Sequence, residues 1–595
     1  MTLKNTQITK TGRPTLQKVQ GKIIKNTVLG SKREGVTIQN AHICTSVGDA
    51  EPLHTGQKNA KSLTEIYHSP VKPSVLEKYL EGYNREIKDY LIKGFTEGFR
   101  LNFKGKNRNL REPKNLKSAF KHEEVLRAKI EEELQTGRYV GPFNEPPLKN
   151  LTISPLGVEP KKDKNKYRVI THLSYPEGSS INDGISKEDS SVKYASIGDA
   201  IKLIKKAGRN AYMCKTDLKD AYRLIPLHPS QFKLTGLKFK GQYIIDRALP
   251  QGCASSAKIF ETFSTAIEWI AKVKLNIKMI IHILDDFFWV SVGEDNCLND
   301  KNKFLEFCKE AGIPTVIKKT LGPDTVMEFA GIELDSIKMS ARLPSGKIEK
   351  CLNKIEEILS KSKTTVNEIQ RITGLLNFAT SVVYPGRAFL RRMYNAIIGK
   401  KSKYSVVTIS NNMREDLNMW RQFLREFNGI NLFKQDWWVN DKSLNLYTDS
   451  SKTIGFGGVF GRKWFYGTWE NEKIKRLDIT TLELYPIVLA IGIWGEELKN
   501  LNINIHTDNE GLVSIINSQT VKKNDRCLHL LRQFVLLCLK HNILFRAWHI
   551  QGKHNTLSDS LSRLQIKKFK SLAPDVEELP TPVPKNLSPN TLLKT

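Results

Sequence analysis

The sequence predicts a multidomain protein. An α+β domain built on a helix-backed antiparallel sheet is followed by a helical region and then by an α/β domain. Three observations lead there. The chain has 595 residues, enough for three or four domains with sizeable cores. The stretch Met279 to Val292, MIIHILDDFFWVSV, sets two apolar arms around Asp285 and Asp286 and reads as a hairpin with the aspartates at or beside its turn. A second acidic strand end lies upstream in YMCKTDLKDAYRLIPLHP, Tyr212 to Pro229. Aspartate alone at a turn is ordinary, because it tolerates left-handed backbone and bonds its own main chain. If the two strand ends meet, Asp217 joins Asp285 and Asp286 in a carboxylate cluster fit for two magnesium ions.

Composition narrows the partner. A hydrophobic fraction of 39% and a charged fraction of 26% fit a globular chain. No run of about 18 apolar residues occurs, so no membrane span is expected. The net charge of +31 and pI of 9.6 exceed what solubility needs and point to a polyanion bound with counterion release. The eight cysteines form no C-x-x-C pair or Cys/His knuckle. They read as buried small residues in a reducing compartment, without structural zinc. The opening segment lacks the apolar core of a secretory signal, so a cytoplasmic or nuclear location is expected.

Taken in order, residues 1 to about 70 are rich in Lys, Thr, Asn and Gly and read as loosely folded or disordered. Helical patterns cover Val75 to Phe99 and Glu123 to Gln135. LTISPLGVEPKK and KYRVITHLS read as a hairpin tipped with the basic turn Lys161–Lys166. Ile197 to Ala207 is a helix leading into the strand that ends at Asp217. KFKGQYII turns at Gly241, and LPQGCASSAKIFETFSTAIEWIAK opens as a turn and continues as a helix. After the Asp-Asp hairpin come a helix ending at Gly312, a small hairpin in VMEFAGIELDS, and helices over Lys347 to Ser360 and Val366 to Thr380. A Trp-bearing helix, MREDLNMWRQFLREFNG, leads to a new domain near Trp437. There, strands with tight glycine turns precede a helix, a strand and further helices. The segment after about Gln565 is Pro- and Lys-bearing and is expected to be disordered.

Extending a nucleic acid requires attack of a primer 3′-hydroxyl on an α-phosphate, with fixed carboxylates holding the metals. Asp217 and Asp285 would bridge the ions and Asp286 would complete the cluster. Backbone amides around Asp220 and Ala221 could hold the triphosphate. Lys161, Lys162 and Arg168 on the lysine-tipped hairpin could reach it from the other side.

Asp217-Leu-Lys-Asp-Ala-Tyr222, Leu249-Pro-Gln-Gly252 and Leu284-Asp-Asp286 stand in the order and character of reverse transcriptase motifs. Arg168 stands where that family has its fingers arginine. Phe329-Ala-Gly-Ile332 resembles its primer-gripping hairpin. Lys319 is similar in place to the palm lysine proposed as proton donor to pyrophosphate. The resemblance implies that Tyr222 excludes a ribose 2′-hydroxyl, and that Gln251 and Gly252 contact the incoming nucleotide and template.

The C-terminal domain carries four acids on different elements. Asp449 and Asp508 end strands, Glu483 lies on the helix in TTLELYP, and Asp559 opens a helix in HNTLSDSLSR. Any one of the aspartates alone would read as a cap or turn residue, but Glu483 in an apolar helix is hard to explain as structure. The set resembles the four acids of ribonuclease H. It implies two-metal hydrolysis of the RNA strand of an RNA–DNA hybrid, with His549 or His554 assisting.

The resemblance implies an α+β right-hand polymerase (fingers, palm and thumb) followed by an α/β ribonuclease H-like domain. The expected divisions are a basic, partly disordered region over 1–110, fingers and palm over 111–340, thumb and connection over 341–436, the ribonuclease H-like domain over 437–564, and a disordered tail over 565–595. Two Mg2+ ions per site, or Mn2+, would be the cofactors. RNA template, DNA primer, RNA–DNA hybrid and deoxynucleoside triphosphates would be the partners. HLSYPEGSSINDGIS (His172 to Ser186) and GLLNFATSVVYPGRAFLRRMY (Gly374 to Tyr394) resemble the DIRS-like, tyrosine-recombinase retrotransposons, whose recombinase would then be encoded separately. Gypsy-like or plant-pararetrovirus-like enzymes are the nearest alternative. From another class, a domesticated, non-catalytic nucleic-acid-binding protein retaining the fold fits the charge equally, but the seven intact carboxylates speak against it.

Overall fold

The structure, a computed structural model, describes residues 63–105, 112–161, 166–427, 431–433, 438–522 and 524–593. Expectations for residues 1–62, and for Lys162 in the lysine-rich turn, lie outside the described residues.

The helical pattern over Val75 to Phe99 forms two helices, α1 (Pro73–Tyr79) and α2 (Arg85–Glu97). Gly82 between them takes φ +85°, and the Asn84 side chain starts α2 afresh by accepting from the Ile87 amide at 3.0 Å. Next come α3 (Glu123–Gln135) and β1 (Tyr139–Phe143). The lysine-tipped hairpin pairs β2 (Leu156–Pro160) with β3 (Tyr167–Thr171). Helix α4 (Ile197–Ala207) begins with a reciprocal Ser196–Asp199 capping box and feeds β4 (Tyr212–Asp217). Strands β5 (Gly236–Phe239) and β6 (Gln242–Asp246) pair with each other, and β6 also pairs with β1.

The central sheet is completed by β7 (Ile280–Ile283), β8 (Asp286–Ser291) and β9 (Leu321–Asp324), with α5 (Ser256–Val273) before β7 and α6 (Glu294–Glu310) after β8. Its order is β7-β8-β4-β9 and every pairing is antiparallel. The run Phe287 to Ser291 is buried throughout because both faces of β8 are covered. Phe287 and Trp289 face the core shared with α5 and α6. Phe288 and Val290 face the core shared with α4 and the next hairpin. A continuous apolar run is what a strand covered on both sides needs.

That hairpin pairs β10 (Val326–Phe329) with β11 (Ile332–Asp335), and β12 (Ser340–Arg342) extends it. Its two turn residues, Ala330 and Gly331, both have positive φ, the twist a two-residue hairpin favours. Helices α7 (Ser345–Leu359), α8 (Val366–Ala379) and α9 (Asn411–Gln422) follow. The Lys347 ammonium of α7 donates to the Gly331 carbonyl at 2.6 Å and lies over the Phe378 ring of α8 at 4.3 Å, so the helical region holds the hairpin tip.

The C-terminal domain opens with the antiparallel strands β13 (Leu446–Ser450), β14 (Gly455–Phe460) and β15 (Lys463–Thr468). Then come α10 (Ile479–Trp494), β16 (Asn502–Thr507), α11 (Glu510–Ser518), α12 (Asp525–Lys540), β17 (Leu544–His549) and α13 (Thr556–Ser562). Strands β16 and β17 run parallel, and β13 lies beside β16. Helix α10 is apolar on nearly all sides because it is buried between sheet and α12. The buried Arg532 of α12 pairs with Asp416 of α9, tying this domain to the helical region.

The segment after Gln565 departs from expectation. It forms α14 (Ile566–Leu572), and Phe569 packs on Trp464 with ring centroids 5.1 Å apart. Further on, the Leu587 carbonyl accepts from the Tyr485 hydroxyl at 2.8 Å, and Leu592 and Leu593 are buried. Average composition made this stretch look unfolded. A few well-spaced apolar anchors are enough to fasten it. No helix among the described residues is long and apolar enough to cross a membrane.

Candidate active sites

The two acidic strand ends meet. In the β4–β8 ladder Asp217 stands opposite Asp286, and the Leu218 amide donates to the Asp285 carbonyl at 2.9 Å. Leu284 and Asp285 are the whole connection between β7 and β8, closed by the Ile283–Asp286 pair. Leu284 has φ +56°, a strained conformation for a non-glycine residue that must be held by its surroundings. Burial, and then the neighbouring Asp217 charge, raise the Asp285 carboxyl. Burial pushes Asp286 up to about 6; the Lys215 ammonium opposes this while Asp217 and Asp285 add to it. Crowded acids with raised pKa values are a site short of positive charge. Part of that charge is supplied by Lys319, whose ammonium is ion-paired with Asp217. Among the described residues no three acidic, His or Cys side chains already converge in metal-ligating geometry. The donor set, three carboxylates on adjacent strand ends, suits a hard divalent ion.

A cavity of about 980 Å3 opens over these acids. Its lining brings together Asp217, Asp285, Lys319, Asp220, Ala221 and Gln251 from the sheet side with Lys161 and Arg168 from the β2–β3 hairpin. Asp220 and Ala221 both have positive φ, 64° and 37°, a backbone form that can turn successive amides toward an anion. Arg168 also bonds Glu159 across its hairpin at 2.8 Å. Tyr222, Gly252 and Asp286 do not line the cavity. The Tyr222 ring packs edge-on against Phe260, centroids 5.3 Å apart, and its hydroxyl is pushed up to about 12 by burial and then by Tyr194 and Asp285. The Gly252 carbonyl accepts from Asn182 at 3.0 Å, and the Asn182 side-chain oxygen accepts from the Ala254 amide at 2.8 Å.

Two supporting groups were not foreseen from the sequence. Arg223, buried in an otherwise apolar run, bonds both Asp246 oxygens at 2.8 and 2.9 Å and Glu133 at 2.8 Å. Glu133 also meets Arg138, which reaches Asp220 at 3.1 Å. This network fixes the cavity floor to α3 and β6. The second group lies under the hairpin. His282 of β7 bonds Glu268 of α5 at 2.5 Å, sits 3.3 Å from Glu261, and stacks on Phe287. Burial opposes its charge, but the two carboxylates push it up to about 9. A charged residue inside an apolar run was the available signal in both cases.

The four C-terminal acids also converge electrostatically. Asp449 of β13 accepts from Ser562 at 2.5 Å and from Asn555 at 3.4 Å. Burial pushes it up to about 6, with Asp508 and Asp559 adding against the Ser562 hydrogen bond. Glu483 on α10 accepts from Thr507 at 3.3 Å and is pushed up to about 8 by burial, then by Asp508 and Asp449. Asp559 of α13 accepts from Arg563 at 2.7 Å. Helix α13 comes close because Gly457 on β14 leaves room: a Cβ there would lie 2.3 Å from the Leu561 Cβ. His549 is exposed with Nε2 3.2 Å from the Asp508 carbonyl, and His554 is exposed on the loop.

Residues 159–334 match the family model of reverse transcriptase (RNA-dependent DNA polymerase). The Pro-Pol polyprotein of feline foamy virus is 24% identical over 248 residues, which are 42% of this chain and 20% of that polyprotein. The match therefore spans only a fifth of that relative's length. A foamy viral protease-reverse transcriptase solved in complex with RNA/DNA hybrid aligns at 15% identity and TM-score 0.46, covering 86% of this chain and 64% of that one. One solved with dsDNA aligns at 16% and 0.44, covering 81% and 98%. The α+β domain on an antiparallel sheet, the helical region and the C-terminal α/β domain expected from the sequence are the architecture of this chain.

Proposed function

We propose that the chain is an RNA-directed DNA polymerase that copies retrotransposon RNA into DNA and cleaves the RNA strand of the resulting hybrid. One observation carries the first half. Asp217 faces Asp286 across β4 and β8, beside Asp285, at a cavity also lined by Lys161, Arg168 and Lys319. When bound, two Mg2+ or Mn2+ ions would lower the pKa of the primer 3′-hydroxyl and offset charge on the leaving pyrophosphate. Asp217, Asp285 and Asp286 would hold them. Lys161 and Arg168 would pair with the triphosphate, and the amides at Asp220 and Ala221 would receive its oxygens. Lys319 would exchange Asp217 for the pyrophosphate and give it a proton. Tyr222, braced by Phe260, would stand against a ribose 2′-hydroxyl, while Gln251 and Gly252 would position nucleotide and template.

Asp449, Glu483, Asp508 and Asp559 would hold a second pair of ions, and His549 or His554 would assist proton movement near Asp559. The phrases at His172 to Ser186 and Gly374 to Tyr394 support a DIRS-like retrotransposon as the source. The test is a primed RNA template with deoxynucleotides and Mg2+, paired with a labelled hybrid. Extension and RNA cleavage are expected. Folded protein that does neither, where a control enzyme does both, removes the proposal.

A further inference from the structure

The open face of the C-terminal sheet carries a stack that the two acid sites do not use. Arg546 and Trp548 alternate on one face of β17, two residues apart. The Arg546 guanidinium lies 4.0 Å from the Trp438 ring centroid and 5.1 Å from that of Trp548. Its Nε is fixed by the Asn504 side-chain oxygen at 2.6 Å, and Asn504 is held in turn by Asp441 at 2.7 Å. In the parallel register Arg546 stands beside Asn504, and Trp548 beside His506. His506 is two residues before Asp508, and His549, next to Trp548, touches the Asp508 carbonyl. The stack therefore begins within roughly two residues, about 7 Å of strand, of the acid site.

A purely architectural role accounts for only half of it. Trp438 against Arg546 pins the segment that enters the domain. Trp548 adds nothing to that pin, yet 48% of this largest side chain is exposed. Among the described residues the Arg546 terminal Nη groups have no hydrogen-bond partner. A flat apolar ring beside open guanidinium donors, on a chain of net charge +31, matches a nucleobase and its phosphate.

We infer that Trp548 and Arg546 form a binding site for an unpaired nucleotide, which stacks on the indole and gives its phosphate to the guanidinium. The occupant is single-stranded nucleic acid continuing from a hybrid engaged at Asp449 and Asp508. The location of that hybrid rests on the proposed hydrolytic reading; the stacking site itself does not.

The test uses the full chain with Asp449→Asn, which blocks hydrolysis, and two RNA–DNA hybrids, one blunt and one with a single-stranded overhang bearing 5-iodouracil. The overhang should photocrosslink to Trp548. Trp548→Ala should weaken binding of the overhang hybrid about tenfold, the range seen for loss of one base–aromatic stack, and leave the blunt hybrid unchanged. Trp548→Phe should retain most of the affinity. Trp438→Ala should lower thermal stability more than Trp548→Ala does. Equal affinity of wild type and Trp548→Ala for the overhang hybrid, or crosslinks only to the polymerase cavity, overturns the inference. Absence of hybrid cleavage by the wild type with the crosslink intact would instead remove the hydrolytic reading alone.

Discussion

The two acid sites solve one electrostatic problem with different architectures. In the palm, the carboxylates arise from a single antiparallel ladder, so register alone places Asp217 opposite Asp286. A counter-charge, Lys319, is supplied from the segment that leads into the next strand. In the C-terminal domain each acid comes from a separate element. Glu483 is sunk in a nearly all-apolar helix and pushed up to about 8, whereas Asp286 reaches only about 6. A site made by register is sensitive to the hairpin that sets it. A site made by packing is sensitive to everything that holds its helices to the sheet.

The largest expected effect divides the sites completely. Asp285→Asn should lower primer extension at least about 1,000-fold, because a metal-held charge is worth several kcal/mol, while hybrid cleavage continues. Asp449→Asn should do the reverse. Loss of both activities in either variant would mean that the sites are not independent.

The second effect probes packing. Phe569→Ala removes an aromatic ring buried against Trp464, Val459 and Leu561, and Leu561 belongs to the helix that carries Asp559. A loss of about 3 kcal/mol is expected for the C-terminal domain, read as a lower unfolding midpoint, with cleavage more heat-sensitive than extension. Equal heat sensitivity of the two activities would erase the contrast between register and packing. Tyr222→Ala should then relax sugar discrimination about ten- to a hundredfold, measured as incorporation of ribonucleotides against deoxynucleotides. Undiminished exclusion would remove the gate role.

How much of this could be read beforehand follows the same division. Asp285–Asp286 and Asp217 sit in short words whose apolar flanks declare strands, so the two acidic strand ends were legible from pattern, while their meeting was a condition that only the resemblance supported. The β2–β3 hairpin and its Arg168 were equally local. Glu483 stood out only as an acid in an apolar helix, and its role came from resemblance. The Arg223–Glu133 and Glu268–His282 pairings were invisible because the partners are 90 and 14 residues apart and follow no period. The fastening of residues 566–593 was missed because composition averages away single anchors such as Phe569 and Leu592.

The smallest effect separates the sites by the cause and remedy of their pH dependence, whose sign they share. His282, held up to about 9 by Glu268 and Glu261, has an ordinary pKa near 6.5. Its contribution to palm stability is therefore fully present below about pH 6.5 and is lost as pH rises through about 9, of order 1–3 kcal/mol. Glu483, raised from an ordinary value of 4.5 to about 8, also favours the folded state less as pH rises through that range. Here, though, the cause is an uncompensated buried charge rather than a lost ion pair. Added Mg2+ should raise both transitions, since both acid clusters would hold it, but should abolish the alkaline fall of the C-terminal one alone and leave the palm transition's slope up to pH 9 in place. Glu483→Gln should flatten the first transition's pH dependence, and His282→Gln the second. Calorimetry from pH 6 to 9.5, with and without Mg2+, measures both. A palm transition that Mg2+ rescues as fully as the C-terminal one would show that His282 is not what the alkaline shift removes.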